Sequence, residues 1–209
     1  SGHEWFANNI TNKDIADMWI HESFTNYSEN LFVDYYYGKK AAADYVIGTR
    51  RGIKNDKPII APYNVNAEGS GDMYNKGGNM LHTIRTMIDN DEKWRTILRG
   101  LNRTFYHKTV ATKEIENYIS TQSGIDLNTV FNQYLRDIRI PEFTYKIENK
   151  QLKYCWNNTV KDFYMPIKVY INGKAKILKP TSNWQSTELP ADDIGLKVDR
   201  NYYITTKKL

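Results

Sequence analysis

Two side chains near the start of the chain, His3 and Glu22, have the types and spacing of metal ligands, an imidazole and a carboxylate with eighteen residues between them. A catalytic zinc site takes three protein ligands and leaves a fourth position open, and these two groups supply two of the three at about 2.0–2.2 Å each. Spacing alone is weak evidence, because an isolated His and Glu are more often surface or capping residues. What distinguishes the pair is the words around it, HEWFANNIT after His3 and WIHESFTNYSE around Glu22. Glu29, seven residues beyond Glu22, falls near the same helical face, where it can accept from a ligand imidazole and fix its tautomer.

Other reactive residue types are sparse. His21 adjoins Glu22 and so faces another side of a helix, which suits packing better than ligation. His82 and His107 have no carboxylate or cysteine at liganding spacing and read as structural. The single Cys155, in YCWNN, cannot form an internal disulfide and reads as a small, partly buried strand residue. Asn-x-Ser/Thr triplets at Asn9, Asn26, Asn102 and Asn157 are expected by chance in an Asn-rich chain. Tyr74, in MYNKGG, stands where a long loop meets a helix.

The elements that must position these groups are helical over residues 12–137. Apolar positions Ile15, Met18, Trp19, Phe24, Tyr27 and Leu31 mark a first helix closing at Gly38, and a second follows near residues 41–47. Residues 52–72 hold Pro58, Pro62, Gly69 and Gly71 without a period, so they read as a long irregular loop of the kind compact proteins keep for binding. Helical signals resume over 73–88 and 92–98. Thr112 then predicts a capped short helix ended by Gly124, and Asp126 a last one running to Arg136 before Pro141.

Beyond Pro141 the period becomes two. Phe143, Tyr145 and Ile147 alternate with polar residues, as do Ile167, Val169 and Ile171, and Asn172-Gly173 predicts a tight hairpin turn. Further strands are expected at 195–198 and 202–205. Basic and acidic residues balance at 17 each through Pro141 and stand at 12 against 7 thereafter, so the whole net charge of +5 lies in the tail. Lys168, Lys174, Lys176, Lys179 and Lys197, with Tyr154 and Trp156, invite comparison with a nucleic-acid surface. Lysines that guard exposed strand edges explain them better, and no nucleic-acid partner is expected. With 40% hydrophobic and 13% aromatic residues among 209, a disordered chain is excluded, and no apolar run reaches the roughly 18 residues a membrane helix needs.

The words around His3 and Glu22 resemble the gluzincin zinc aminopeptidases of the aminopeptidase N and leukotriene hydrolase type, whose signature is His-Glu-x-x-His, eighteen residues, then Glu. HEWFAN is similar to that family's His-x-Trp-Phe-Gly-Asn, ADMWIHESFTNYSE to its helix around the glutamate ligand, and MYNKGG to its Tyr-Glu-Lys-Gly-Ala element. Ala7 and Ser23 stand where glycine is usual, His21 where Asn is usual, and Asn75 where a glutamate is usual.

The resemblance implies that His3 is the second histidine of the motif, with Ser1 and Gly2 its two x positions. Glu22 is then the third zinc ligand, and Tyr74 a catalytic hydrogen-bond donor to the oxyanion. The first histidine, the proton-abstracting glutamate and the Gly-x-Met-Glu-Asn amine anchor would lie before Ser1. The implied fold is α+β in two domains. Residues 1–141 would be the mainly helical C-terminal part of a thermolysin-like catalytic domain, and 142–209 a small antiparallel β-sandwich. The implied activity is zinc-dependent release of N-terminal residues from peptides, with this chain alone binding Zn2+ weakly and hydrolysing nothing. A non-catalytic scaffold of the same family is the alternative, and an epoxide hydrolase branch also exists in it. Compartment and oligomeric state are not indicated.

Overall fold

The computed structural model describes residues 2–191 and 194–209, so Ser1, one of the two motif x positions, lies outside the described residues. Among the described residues the chain is α+β, with five α-helices and three small sheets. After a 3-10 turn at Gly2–Glu4, strand β1 (Ile10–Asn12) pairs in parallel with β2 (Lys108–Val110), a contact across nearly a hundred residues that the short apolar content of either segment does not announce.

Asp14 caps the next turn by accepting from the Ala16 amide at 2.9 Å, and helix α1 (Trp19–Thr49) follows. Its first arm buries Trp19, Ile20, Phe24 and Tyr27, residues spaced to fall on one helical stripe. Gly38, at φ 85° and ψ 168°, interrupts the helix with a backbone conformation that favours glycine. The second arm folds back on the first: the Tyr45 hydroxyl donates to Glu29 at 2.5 Å, whereas sixteen residues of straight helix would separate them by about 24 Å. The expected break at Gly38 is therefore a reversal.

The loop that follows is pinned by buried Asp72, which accepts from the amides of Lys54 at 2.9 Å and Asn55 at 2.6 Å. Helix α2 (Asn75–Ile88) packs along α1. Helix α3 (Asp91–Thr104) is capped by Asn90, whose side chain accepts from the Lys93 amide, and α4 (Thr112–Ser123) ends at Gly124 in the left-handed region. Thr112 is not the cap. The Glu114 carboxylate closes that helix start by accepting from the Ala111 amide, while Thr112 donates its amide and hydroxyl to buried Asp17 and accepts from the Trp19 indole. Asp126 accepts from the Asn128 amide and starts α5 (Asn128–Leu135).

Strands β3 (Glu142–Glu148) and β4 (Gln151–Asn157) form a hairpin extended by β7 (Gln185–Glu188). Strands β5 (Ile167–Ile171) and β6 (Lys174–Leu178) turn at Asn172-Gly173, both at positive φ as the hairpin signal requires, and β8 (Leu196–Val198) completes that sheet. Lys174 and Lys176 lie on exposed edge strand β6, and Lys168 is paired with Asp89 at 2.7 Å. Two expectations are corrected. The last strand is β9 (Thr205–Lys208), three residues later than expected, and it runs parallel to β3 rather than antiparallel. Tyr202 and Tyr203 turn inward instead: the Tyr203 amide donates to Thr83 and its carbonyl accepts from Tyr134 at 2.6 Å, both on helices. Buried residues from Phe6 to Tyr203 form one continuous apolar cluster. No helix among the described residues is long and apolar enough to cross a membrane.

Candidate metal and catalytic site

His3 sits in the opening 3-10 turn and Glu22 in the first turn of α1, and their side chains converge, with Nε2 of His3 3.8 Å from Oε2 of Glu22. The other ring nitrogen, Nδ1, lies 3.3 Å from the Phe6 carbonyl and 3.4 Å from the Thr25 hydroxyl. A carbonyl only accepts, so in the neutral ring this contact favours the proton on Nδ1 and leaves the Nε2 lone pair on the side of Glu22. Two donors on a tetrahedral ion at about 2.1 Å each stand about 3.4 Å apart. The observed separation is close to that, and a borderline imidazole with a carboxylate is a donor set that suits zinc. Among the described residues no third His, Cys, Asp or Glu joins them.

His21 faces elsewhere. Its Nε2 accepts from the Asn12 amide at 2.9 Å, and burial, then the nearby His3, hold its pKa below the ordinary histidine value. It therefore braces β1 against the start of α1 as a neutral ring.

Tyr74 reaches the same place from the other side. It precedes α2, which packs closely on α1: a side chain at Gly77 would overlap Ser23, and one at Gly78 would crowd the Asn26 amide oxygen. Ser23, adjacent to Glu22, is fully buried and donates to the carbonyl of Met73, adjacent to Tyr74, at 2.7 Å. Partial burial, then the Glu22 carboxylate, push the Tyr74 phenol above the ordinary tyrosine pKa, so it stays a protonated donor at neutral pH. It is 44% exposed and so open to a ligand. Two residues on, Lys76 is completely buried and donates to the Asp137 carbonyl at 2.9 Å, tying the start of α2 to the exit of α5. Burial brings its pKa down to about 8.

Glu29 is exposed, and its Oε2 is the acceptor for Tyr45; that bond pushes the Tyr45 phenol up to about 12. His82 is buried between the Tyr27 hydroxyl and the Asn201 amide oxygen, and His107 stacks on Tyr106. Sequence reasoning noted Ser23 only as a departure from glycine and passed over Lys76, because the bonds they make are to backbone carbonyls that no local pattern reveals.

Residues 1–134 match the peptidase family M1 domain. The chain is 22% identical over 190 residues to a leucyl aminopeptidase of Saccharolobus solfataricus, covering 82% of this chain and 24% of that protein. It is 26% identical over 178 residues to an aminopeptidase N of Lactobacillus delbrueckii subsp. lactis, covering 78% and 20%. The structure of Legionella pneumophila aminopeptidase A in complex with aspartic acid has the same fold, with a TM-score of 0.73 at 16% identity over 98% of this chain and 26% of that one. A helical run followed by small sheets is thus an α+β fold shared with that structure. The chain belongs to peptidase family M1. It spans a fifth to a quarter of the length of these relatives, 20% to 26%.

Proposed function

We propose that this chain is the ligand-bearing helical portion, with the adjoining β region, of a zinc-dependent aminopeptidase acting on peptides. The observation that carries the reading is the 3.8 Å approach of His3 to Glu22 with Tyr74 beside them. In this reading residues 1–141 are part of a thermolysin-like catalytic domain and 142–209 a β-sandwich. His3 and Glu22 hold the ion, with the remaining ligand and the general base supplied by residues outside this chain. Bound zinc lowers the pKa of water and polarises a carbonyl. The chain's own residues do the positioning. Phe6 and Thr25 orient the His3 ring, the Ser23–Met73 bond sets Tyr74 against Glu22, and the protonated Tyr74 phenol donates to the oxygen that gains charge at the scissile carbonyl. Glu29 accepts from a ligand imidazole and fixes its tautomer.

Two measurements test this. Zinc titrated into the 209-residue chain should shift the backbone amide resonances around His3 and Glu22 saturably and weakly, and His3→Ala and Glu22→Gln should each abolish the shift. In the longer enzyme, hydrolysis of an aminoacyl anilide should require zinc and fall by about 100-fold or more in Tyr74→Phe at nearly constant KM. Zinc shifts that survive both ligand substitutions would remove this pair from the metal site. A longer polypeptide without zinc-dependent turnover would be a scaffold.

A further inference from the structure

A concave site lies about the end of α1, where the helices meet the sheets. The cleft has a volume of 690 Å³, within the range of small-molecule sites, and neither His3, Glu22 nor Tyr74 lines it. Arg50 forms its helical side; Lys197, Asp199 and Arg200 enter from the end of β8, and Leu196, Val198 and Ile204 supply apolar wall.

Arg50 is the unusual member. Its guanidinium is half-buried, and its contacts are all neutral: Nε donates to Asn79 Oδ1 at 2.7 Å, Nη2 donates to the Asn201 carbonyl at 3.3 Å, and the group lies 5.5 Å from the centre of the Tyr203 ring. Among the described residues no carboxylate pairs with it, and Nη1 has no hydrogen bond. Buried cations in proteins are ordinarily paired, because desolvation is costly without a counter-charge. The nearby cations cannot relieve it, and burial with the neighbouring Arg200 lowers its pKa.

Among the described residues, the other charges in the cleft leave one positive charge over. Arg200 is neutralised by Asp44 at 2.6 Å. Asp199 is engaged by the Asn201 amide and side chain, at 3.0 and 2.8 Å, and offsets one of the two remaining cations, Arg50 and Lys197. The planar guanidinium edge suits a carboxylate or a phosphate, and the aliphatic walls favour an anion that carries an apolar body, as an organic carboxylate does. We propose that this cleft is a binding site for a small organic monocarboxylate, with Arg50 as the carboxylate anchor and Leu196, Val198 and Ile204 around the apolar part.

The test is amide and Arg Nε–H NMR of the 209-residue chain titrated with 3-phenylpropionate, 3-phenylpropan-1-ol and inorganic phosphate in separate arms. The expected result is saturable shifts at Arg50, Val198 and Ile204 with the carboxylate, and binding at least about tenfold weaker with the alcohol and with phosphate. Arg50→Gln should weaken the carboxylate by about tenfold or more. Should that variant lose its dispersed spectrum, Lys197→Ala, at the exposed mouth, carries the mutational arm with an expected few-fold loss. Equal binding of the alcohol would reduce the cleft to an apolar crevice, tighter phosphate binding would make it a bare anion site, and no saturable shift at these residues would leave no site; each overturns the proposal.

Discussion

The Ser23 hydroxyl donates to the Met73 carbonyl at 2.7 Å, and because each stands next to a candidate functional residue, this one buried bond aligns Glu22 with Tyr74. It lies where α1 and α2 approach closely, over Gly77. Ser23 stands where the resemblance leads one to expect glycine, and its hydroxyl makes a bond in the remaining space.

Removing that bond should be costly. Ser23→Ala leaves the Met73 carbonyl unpaired and should destabilise the chain by about 1–3 kcal/mol in urea unfolding. Gly77→Ala, which forces a methyl into Ser23, should cost a similar amount, about 1–3 kcal/mol. Because Ser23 Oγ is the first atom that methyl meets, the double variant should be more stable than the sum of the two losses. Additive losses would show that the two helices do not meet through this pair.

Tyr74 should titrate above the ordinary tyrosine value in 13C-labelled tyrosine NMR, and Glu22→Gln should bring it down toward that value by removing the neighbouring charge. An unchanged Tyr74 titration in that variant would separate the two side chains.

Glu29→Gln should lower the Tyr45 phenol from about 12 toward about 10, since the carboxylate bond is the main cause of its elevation. In the longer enzyme the same substitution should weaken zinc about 10–100-fold if Glu29 also serves a ligand imidazole. A Tyr45 shift with unaltered zinc affinity would confine Glu29 to bracing the two arms of α1.

Lys76 makes stability depend on pH in a definite direction. Its folded pKa, about 8, lies below the unfolded value of about 10.4. Between these the unfolded chain holds a proton that the folded chain has released, so stability should rise with pH across this window and fall as pH drops toward 8. The slope approaches at most about 1.4 kcal/mol per unit. Lys76→Met should flatten it. The comparison is best made below pH 9.5 or so, because buried Tyr27, Tyr134 and Tyr202, all raised, reverse the trend once unfolded tyrosines ionise near 10. Identical slopes in both proteins would mean that Lys76 does not titrate in this range.

Local chemistry was legible in the sequence wherever the cause was local. The stripe of Trp19, Phe24 and Tyr27 specified the first arm of α1, Gly38 its end, and Asn172-Gly173 a hairpin, because periodicity and positive φ are properties of a few neighbouring residues. His3 and Glu22 stood out as a candidate donor pair through the words around them, not through their spacing alone. Whether the two donors meet, that Tyr74 joins them, that α1 doubles back so that Tyr45 reaches Glu29, and that β9 runs parallel to β3 were decided only in three dimensions. So was the solitary charge of Arg50. Each of these depends on surfaces far apart in the chain packing at one distance, and burial and hydrogen bonding to another segment's backbone leave no period or motif in the residues that provide them.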